Sequence, residues 1–350
     1  MSSLTETAYY TRRTINWIIL GIFGYIILRM FFGILIMLWA VIFPPKAPPP
    51  NHAFGKLPAL TFPAQASPSG QLVFQLETIQ GAVPKASESA TVYLMPKSAP
   101  NLLALTKTQD FAKKLLFDPT PIQESKNIYR FNDPEFILRK LRYDIVSNNF
   151  IVRYNFEQDL SIFVDKHLPL NDSAKQEVLN MLESYSLQKD DLDEENGTIT
   201  YLKLNGDRLI PTTSLSQSDA IRIDVFRKPI GEMRVFTPIP DEAPVSVILS
   251  GSEMIKRRII QFAYSYWPVD YETTATYSLK TSTQAWDELQ QGLGYIARYP
   301  KDTSTALVRS VFLGYYDSFD PQTYLQPIFV FEGDNGFMGY VPAVNPLWIQ

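Results

Sequence analysis

The chain is organised around one apolar stretch, TINWIILGIFGYIILRMFFGILIMLWAVIF at residues 14–43, and no comparable stretch follows it. At about 1.5 Å of rise per residue, a helix of this length extends about 45 Å, whereas the hydrocarbon core of a bilayer is about 30 Å thick. The stretch therefore predicts a single transmembrane helix over 14–43.

A cleaved signal peptide is the alternative interpretation of this stretch. Signal peptides carry an apolar run of about 7–15 residues, followed by small residues at a cleavage site. Here the run is about twice that length and ends in Phe43, Pro44 and Pro45. The comparison favours an uncleaved anchor.

Charges before the stretch predict its orientation. Arg12 and Arg13 stand against one acidic residue, Glu6, and basic residues favour the cytoplasmic side. Residues 1–13 are therefore expected in the cytoplasm. A long domain after the helix is translocated largely regardless of its charge, so the rest of the chain is expected outside the cytoplasm, at the cell membrane.

Arg29 is the one charge inside the apolar stretch, and two interpretations of it stay open. Its side chain can snorkel to the inner headgroups if the span proper is the later part of the stretch. Alternatively, it pairs with a group on another membrane helix, because an unpaired charge there costs at least about 2.5 kcal/mol. Gly33 would allow close approach of such a helix, although no GxxxG spacing is present. Arg29 and Gly33 are candidate partner contacts.

Composition limits the chemistry of the remaining chain. The whole chain is 45% hydrophobic with a net charge of −4, which is typical of a folded domain and not of a nucleic-acid-binding protein. It has no Cys, so disulfides, Cys-bound metals and thiol nucleophiles are excluded. Of the two histidines, His52 lies in a proline-rich segment and His167 lies shortly before Pro169, so the sequence offers little basis for a histidine-based triad or metal cluster. We predict no catalytic residue, metal or cofactor.

Residues 44–70 predict a stalk. Eight prolines in this segment disfavour a helix and favour a stiff, extended spacer. Leu57 and Phe62 are too apolar for a fully solvated linker, so this part is expected to lie on the domain surface or to contact a neighbour. Leu57 and Phe62 are therefore further candidate partner contacts.

From residue 71 onward, the pattern alternates between short strands and helices. Residues 71–79 and 90–95 predict a hairpin with a long loop, and residues 102–117 predict a helix. A second helix is expected from about residue 172, a third over 252–264 and a fourth over 281–291. We predict an α+β fold with antiparallel sheets, each covered by helices, in two loosely repeated modules at 71–240 and 241–350.

The acidic run at 190–195 is a candidate calcium-binding loop. Aligning Asp191, Asp193 and Glu195 with the ligand positions places the glycine one position late and Leu202 at the twelfth position, where Glu is required. A solvated turn is the better interpretation.

The last hundred residues resemble a known family. The carrying segments are YSLKTSTQAWDELQQGLGYIA at 277–297, VFLGYY at 311–316 and YLQPIFVF at 324–331. They resemble the YycI-like regulatory domains and the broader PepSY-type modules. The resemblance implies a single membrane helix, an extracytoplasmic α+β domain and restraint of a sensor histidine kinase. It implies no catalytic residue.

Two functional hypotheses follow. The first is a membrane-anchored, non-enzymatic module outside the cytoplasm that contacts the bilayer, binds an envelope or membrane protein and regulates it, with a histidine kinase as one candidate partner. The alternative is an envelope hydrolase acting on peptide or glycan, with Asp317 and Asp320 as its acid and base. An ordinary turn at Ser318–Pro321 explains those carboxylates more simply.

Overall fold

The structure is a computed structural model that describes residues 4–42, 49–64, 72–99, 101–301 and 304–350. Residues 43–48 and 65–71 of the predicted anchor end, stalk and first strand lie outside the described residues. Residues Pro49–Gln350 form one compact unit, and the N-terminal helix belongs to a separate unit.

Helix α1 covers Leu4–Ile42 and contains the predicted membrane stretch. Its segment Trp17–Trp39 has a mean hydropathy of 2.3, and length and composition are sufficient to cross a membrane. The side chains described in this segment are all exposed. These properties are consistent with a membrane anchor.

The other helices and the strands belong to the second unit. Within the described residues, the α-helices are α2 (Ala104–Lys114), α3 (Asn171–Ser184), α4 (Ile255–Arg258) and α5 (Ser282–Gln290). The strands are β1 (Val73–Leu76), β2 (Ser89–Leu94), β3 (Ile122–Gln123), β4 (Ile128–Asn132), β5 (Arg139–Asp144), β6 (Phe150–Tyr154), β7 (Thr198–Asn205), β8 (Arg208–Thr212), β9 (Ala220–Val225), β10 (Val235–Phe236), β11 (Val245–Ser250), β12 (Ile259–Tyr264), β13 (Asp270–Ser278), β14 (Tyr295–Arg298), β15 (Thr305–Tyr316), β16 (Tyr324–Gly333) and β17 (Met338–Pro342).

Nine of these strands form an antiparallel sheet in the order β3-β4-β5-β6-β12-β11-β9-β7-β8. Helices α2 and α3 bury their apolar residues in one core with this sheet, and Ala112, Val178 and Leu182 are fully buried there. Leu141, Val152, Val247 and Phe262 are the matching buried sheet residues. The predicted pattern of helices covering an antiparallel sheet is therefore present.

The other eight strands form a mixed sheet around the long hairpin of β15 and β16. Strands β1 and β10 pair with β15 in parallel, while β2 pairs with both β13 and β16. Helix α5 covers this sheet and buries Trp286 and Leu289 against a core that includes Phe329 and Phe331. The sheet thus combines strands from both ends of the unit.

A capping box formed by Thr281 and Gln284 begins α5. The Thr281 side chain accepts a hydrogen bond from the Gln284 amide at 3.2 Å, and the Gln284 side chain accepts one from the Thr281 amide at 2.8 Å. These bonds satisfy two backbone donors that the first helical turn leaves open.

The predicted repeat of two modules is not confirmed. Strands β1 and β2, from the predicted first module, lie in the eight-stranded sheet, whereas β11 and β12, from the predicted second, are central in the nine-stranded sheet. The chain therefore crosses between the sheets in both directions. Sheet pairing joins residues far apart in sequence, and local patterns carry little information about it.

Two local predictions were wrong. The segments at 71–79 and 90–95 form no hairpin, because β1 pairs with β15 and β2 with β13 and β16. The segment at 252–264 holds only the single turn α4 and then strand β12, which pairs with β6 and β11. Short apolar runs do not distinguish a buried strand from a buried helix by periodicity alone.

The described part of the predicted stalk, residues 49–64, packs against the eight-stranded sheet. Leu57 is fully buried with Val92 and Tyr277 and forms a bridge with Ile349. The ring of His52 stacks on that of Trp348 at 3.6 Å between centroids. This segment was expected either to lie on its own domain or to contact a neighbour. The structure shows that it packs on its own domain.

We predict that Leu57→Ala destabilises the unit formed by Pro49–Gln350. Loss of a fully buried leucine side chain removes its transfer free energy and leaves a cavity, which costs about 2–5 kcal/mol. Denaturant unfolding of the full chain in detergent, followed by near-UV circular dichroism, measures this change. Leu347→Ala is the matched control, because Leu347 is 77% exposed. Equal effects of the two substitutions would contradict the packing of residues 49–64 against the domain.

Candidate functional site

An open groove of about 530 Å³ lies at one end of the nine-stranded sheet. Its walls come from α2 and from the chain that leaves α3, and its floor comes from the turn after β5 and the end of β12. The volume is in the range of ligand-binding pockets. The lining residues are Ser98, Lys107, Asp110, Phe111, Lys114, Tyr143, Ser147, Asn148, Tyr185, Ser186, Leu187, Lys189, Tyr264, Tyr266 and Pro268.

One face of α2 forms the first wall. Lys107, Phe111 and Lys114 are four and three residues apart, a spacing that places them on one side of a helix. Asp110 also faces the groove, but its carboxylate pairs with Lys113 at 3.2 Å. Lys107 and Lys114 are both exposed.

The other wall begins where α3 ends. Ser186 adopts a positive φ of 57°, and its amide donates to the Glu183 carbonyl at 2.9 Å. The Leu187 amide donates to the Leu182 carbonyl at 2.8 Å, which completes a Schellman-type end. This reversal carries the chain to Lys189, whose ammonium lies 5.7 Å from the centre of the Tyr266 ring.

The floor is aromatic. Phe111 packs on Tyr143 and Tyr185 with ring centroids 5.3 and 5.8 Å apart, and Tyr264 lies 6.0 Å from Tyr266. Phe111, Tyr185 and Tyr266 are half-buried, so part of each ring stays accessible. Burial raises the pKa of Tyr143 to about 12 and that of Tyr266 to about 12. These phenols are therefore neutral at physiological pH and add no negative charge beside the lysines.

The three lysines give the groove its chemical character. Within the described residues, the lysines that form ion pairs are Lys113, Lys166, Lys256 and Lys280. Lys107, Lys114 and Lys189 are not among them, and all three are exposed. Cations beside accessible aromatic rings can bind an anionic ligand that also carries apolar surface.

A buried charge cluster, which we call the Arg227 cluster (Arg227, Asp191 and Asp317), lies next to this floor. The Arg227 Nε donates to Asp317 at 2.7 Å, and a second guanidinium nitrogen pairs with Asp191. The guanidinium also lies 4.6 Å from the centre of the Tyr266 ring. Burial opposes its charge, but the two carboxylates outweigh burial and raise the pKa of Arg227. The cluster thereby links a groove residue to both sheets.

Asp317 and Asp320, the candidate acid and base, occupy different environments. Asp317 is 1% exposed and paired with Arg227, and burial raises the pKa of its carboxyl group while Arg227 offsets part of that rise. Asp320 is exposed on the surface, in the turn where its amide donates to the Ser318 hydroxyl. The geometry does not place both carboxylates in one accessible cleft, so the hydrolase alternative gains no support.

The predicted partner contacts separate into two pairs. Arg29 and Gly33 are exposed on α1, with space around the Gly33 backbone. Leu57 is fully buried in its own domain, and Phe62 stacks on Tyr295 at 4.9 Å and contacts Tyr316 at 4.8 Å. The latter two side chains are therefore engaged within the chain.

The acidic run at 190–195 is organised by local contacts. Asp191 belongs to the Arg227 cluster, and Asp193 accepts a hydrogen bond from Asn196 at 3.0 Å. Among the described residues, no group of three or more His, Asp or Glu side chains is placed to hold a metal ion. His52 packs between Trp348 and Tyr277.

Sequence reasoning missed the groove. Its one local signal is the recurrence of Lys107, Phe111 and Lys114 on one face of the helix predicted at 102–117, and this spacing alone does not indicate a groove. Tyr143, Tyr264 and Tyr266 join this face through strand pairing between β5, β6 and β12.

Comparison with known proteins gives limited information. No model of a known protein family matches the sequence, and no curated protein matches it. Among solved structures, the chain is similar to the crystal structure of an uncharacterized protein from Eubacterium rectale ATCC 33656, with a TM-score of 0.41 and 12% identity, over 74% of this chain and 84% of that one. Likeness at this level supports no inference about function. The resemblance to YycI-like domains stays a prediction.

We predict that Arg227→Met strongly destabilises the fold. The substitution leaves the buried Asp317 carboxylate without its cation, and breaking a buried pair in this way costs about 3–5 kcal/mol. Denaturant unfolding of the full chain measures the loss. Arg208→Met is the matched control, because the Arg208 side chain is 85% exposed; a loss below about 1 kcal/mol, the usual value of a surface pair, would refute a structural role for the Arg227 cluster.

Proposed function

We propose that this chain is a membrane-anchored binding module that recognises another envelope protein. The observation that carries the proposal is the groove with three unpaired lysines beside accessible aromatic rings. The exposed lysine side chains can attract a ligand that supplies negative charge, and the accessible rings beside them can pack against its apolar surface.

The anchor adds a second line of support. Arg29 is the one charged residue in Trp17–Trp39, and a charge at membrane depth either snorkels or finds a polar partner. In the second case, a neighbouring membrane helix supplies a carboxylate or a backbone carbonyl. A module of this kind contacts its partner through both the helix and the folded domain.

Location and regulation form part of the proposal. Arg12 and Arg13 favour a cytoplasmic N-terminus, which places the domain outside the cytoplasm. The resemblance of residues 277–297, 311–316 and 324–331 to YycI-like domains makes a sensor histidine kinase one candidate partner. Binding would then change the activity of that protein without any chemistry by this chain.

We predict that a photo-crosslinking amino acid in place of Leu28 or Met30 captures a specific protein in intact membranes. These positions flank Arg29, so a helix that pairs with Arg29 must lie within reach of one of them. Mass spectrometry identifies the adduct, and the same protein is expected to co-purify with the full chain in mild detergent. Arg29→Leu is expected to reduce its capture.

The control places the same amino acid at Trp17, at the beginning of the apolar segment. Adducts with lipid alone at all three positions, together with no co-purifying protein, would contradict the proposed function.

A further inference from the structure

We propose that the groove binds an acidic segment in the polyproline II conformation, with carboxylates at every third residue, presented by the partner protein. This inference rests on the proposed function and specifies what the partner offers. It follows from the spacing of the lysines, the chemistry of the floor and the charge of the remaining chain.

The lysine spacing matches a defined backbone. Lys107 and Lys114 are seven residues apart on one helix, so their Cα atoms are about 10.5 Å apart along the wall. A polyproline II segment rises about 3.1 Å per residue with three residues per turn, so side chains at i and i+3 share one side about 9.3 Å apart. In a β-strand, residues at i and i+3 point to opposite faces. The two lysines therefore fit carboxylates at i and i+3 of a polyproline II ligand.

The floor suits the same ligand. Polyproline segments bind in grooves lined by aromatic residues, because their preformed backbone loses little entropy on binding and their rings pack on flat apolar surfaces. Phe111, Tyr185 and Tyr266 present partly accessible rings between the two walls. Lys189 on the opposite wall adds a third positive charge, which attracts the same row of carboxylates from across the groove.

Charge favours an acidic partner over the chain's own proline-rich stretch. The segment PPKAPPP at 44–50 contains Lys46 and no acidic residue, so the groove lysines would repel it. The whole chain carries a net charge of −4, so an acidic ligand is not captured by general attraction to the protein. Binding of such a ligand therefore depends on the local lysines.

The test uses the full chain in phospholipid nanodiscs and a fluorescein-labelled peptide of four Glu-Pro-Ala repeats. Fluorescence anisotropy is expected to show saturable binding that weakens as salt rises. Two comparison peptides separate charge from conformation: Gln-Pro-Ala repeats remove the carboxylates, and Glu-Gly-Ala repeats remove the preformed backbone. Both are expected to bind more weakly than the Glu-Pro-Ala peptide.

Variants locate the binding. Lys107→Gln, Lys114→Gln and Lys189→Gln are each expected to weaken binding by about two- to fivefold, the range of exposed ion pairs, and the triple variant by on the order of tenfold or more. Lys203→Gln is the matched control, because Lys203 is exposed, is not among the lysines that form ion pairs in the described residues and does not line the groove. Far-UV circular dichroism checks that each variant remains folded.

Several outcomes would overturn the inference. They are equal binding by the triple variant and the wild type, no binding of the acidic peptide, and a preference for an oligogalacturonate probe over the peptide. Lysine-dependent self-association that is lost on replacing Asp193, Glu194 and Glu195 by their amides would assign the groove to a second copy. If crosslinking captures a partner but the peptide fails, the proposed function survives and only the ligand assignment falls.

Discussion

The ion pair between Arg227 and Asp317 is the interaction on which the arrangement of the two sheets depends. Arg227 follows β9 of the nine-stranded sheet, and Asp317 follows β15 of the eight-stranded sheet, so their contact joins the ends of two central strands. Both side chains are 1% exposed. Burying a charge without an opposite charge beside it costs several kcal/mol, so Arg227 and Asp317 have to be buried as a pair. This requirement brings the two sheets together at the pair. Asp191 and the Trp267 carbonyl each accept a hydrogen bond from one of the two terminal guanidinium nitrogens.

The path of the chain makes the unit from Pro49 to Gln350 difficult to divide. Strands β1 and β2 join β13, β15 and β16, so the eight-stranded sheet cannot be completed until the C-terminal part is present. Residues 49–64 of the predicted stalk also contact the C-terminal part of the chain. Leu57 forms a bridge with Ile349, and the Asn51 and His52 amides both donate to the Thr276 carbonyl. Pairing strands that are far apart in sequence closes long loops of the chain, which costs conformational entropy. Burial of the apolar surface of the sheet must offset this cost.

The sequence predicted features with a local cause. The apolar helix follows from the length and composition of one segment, the helix from residue 171 from apolar periodicity, and the helix at Trp286 from periodicity together with its capping residues. Prediction from the sequence failed where a structure depends on residues far away in the chain. Ile259–Tyr264 is a strand because β6 and β11 pair with it on both sides. Likewise, the sequence around Asp317 does not indicate that its side chain is buried, because its partner Arg227 lies 90 residues away in the chain. The groove lysines of α2 lie on one predicted helix, but aromatic residues of the groove such as Tyr143 and Tyr264 come from strands that are distant in sequence.

The walls and floor of the groove are held in place by buried charges that also belong to the packed interior. Arg139 pairs with Asp133 at 2.8 Å and donates to the Leu115 carbonyl at 2.9 Å, which fixes the C-terminal end of α2 and hence one wall. Arg227 stacks on Tyr266 and fixes part of the floor. A rigid floor lowers the entropy lost on binding, whereas the exposed lysine tips provide attraction that is weak for each pair. Under the proposed function, anchoring would compensate for this weakness, because confining the module and its partner to one membrane raises their effective concentration. A modest affinity for a free acidic peptide would then correspond to a tighter complex at the membrane.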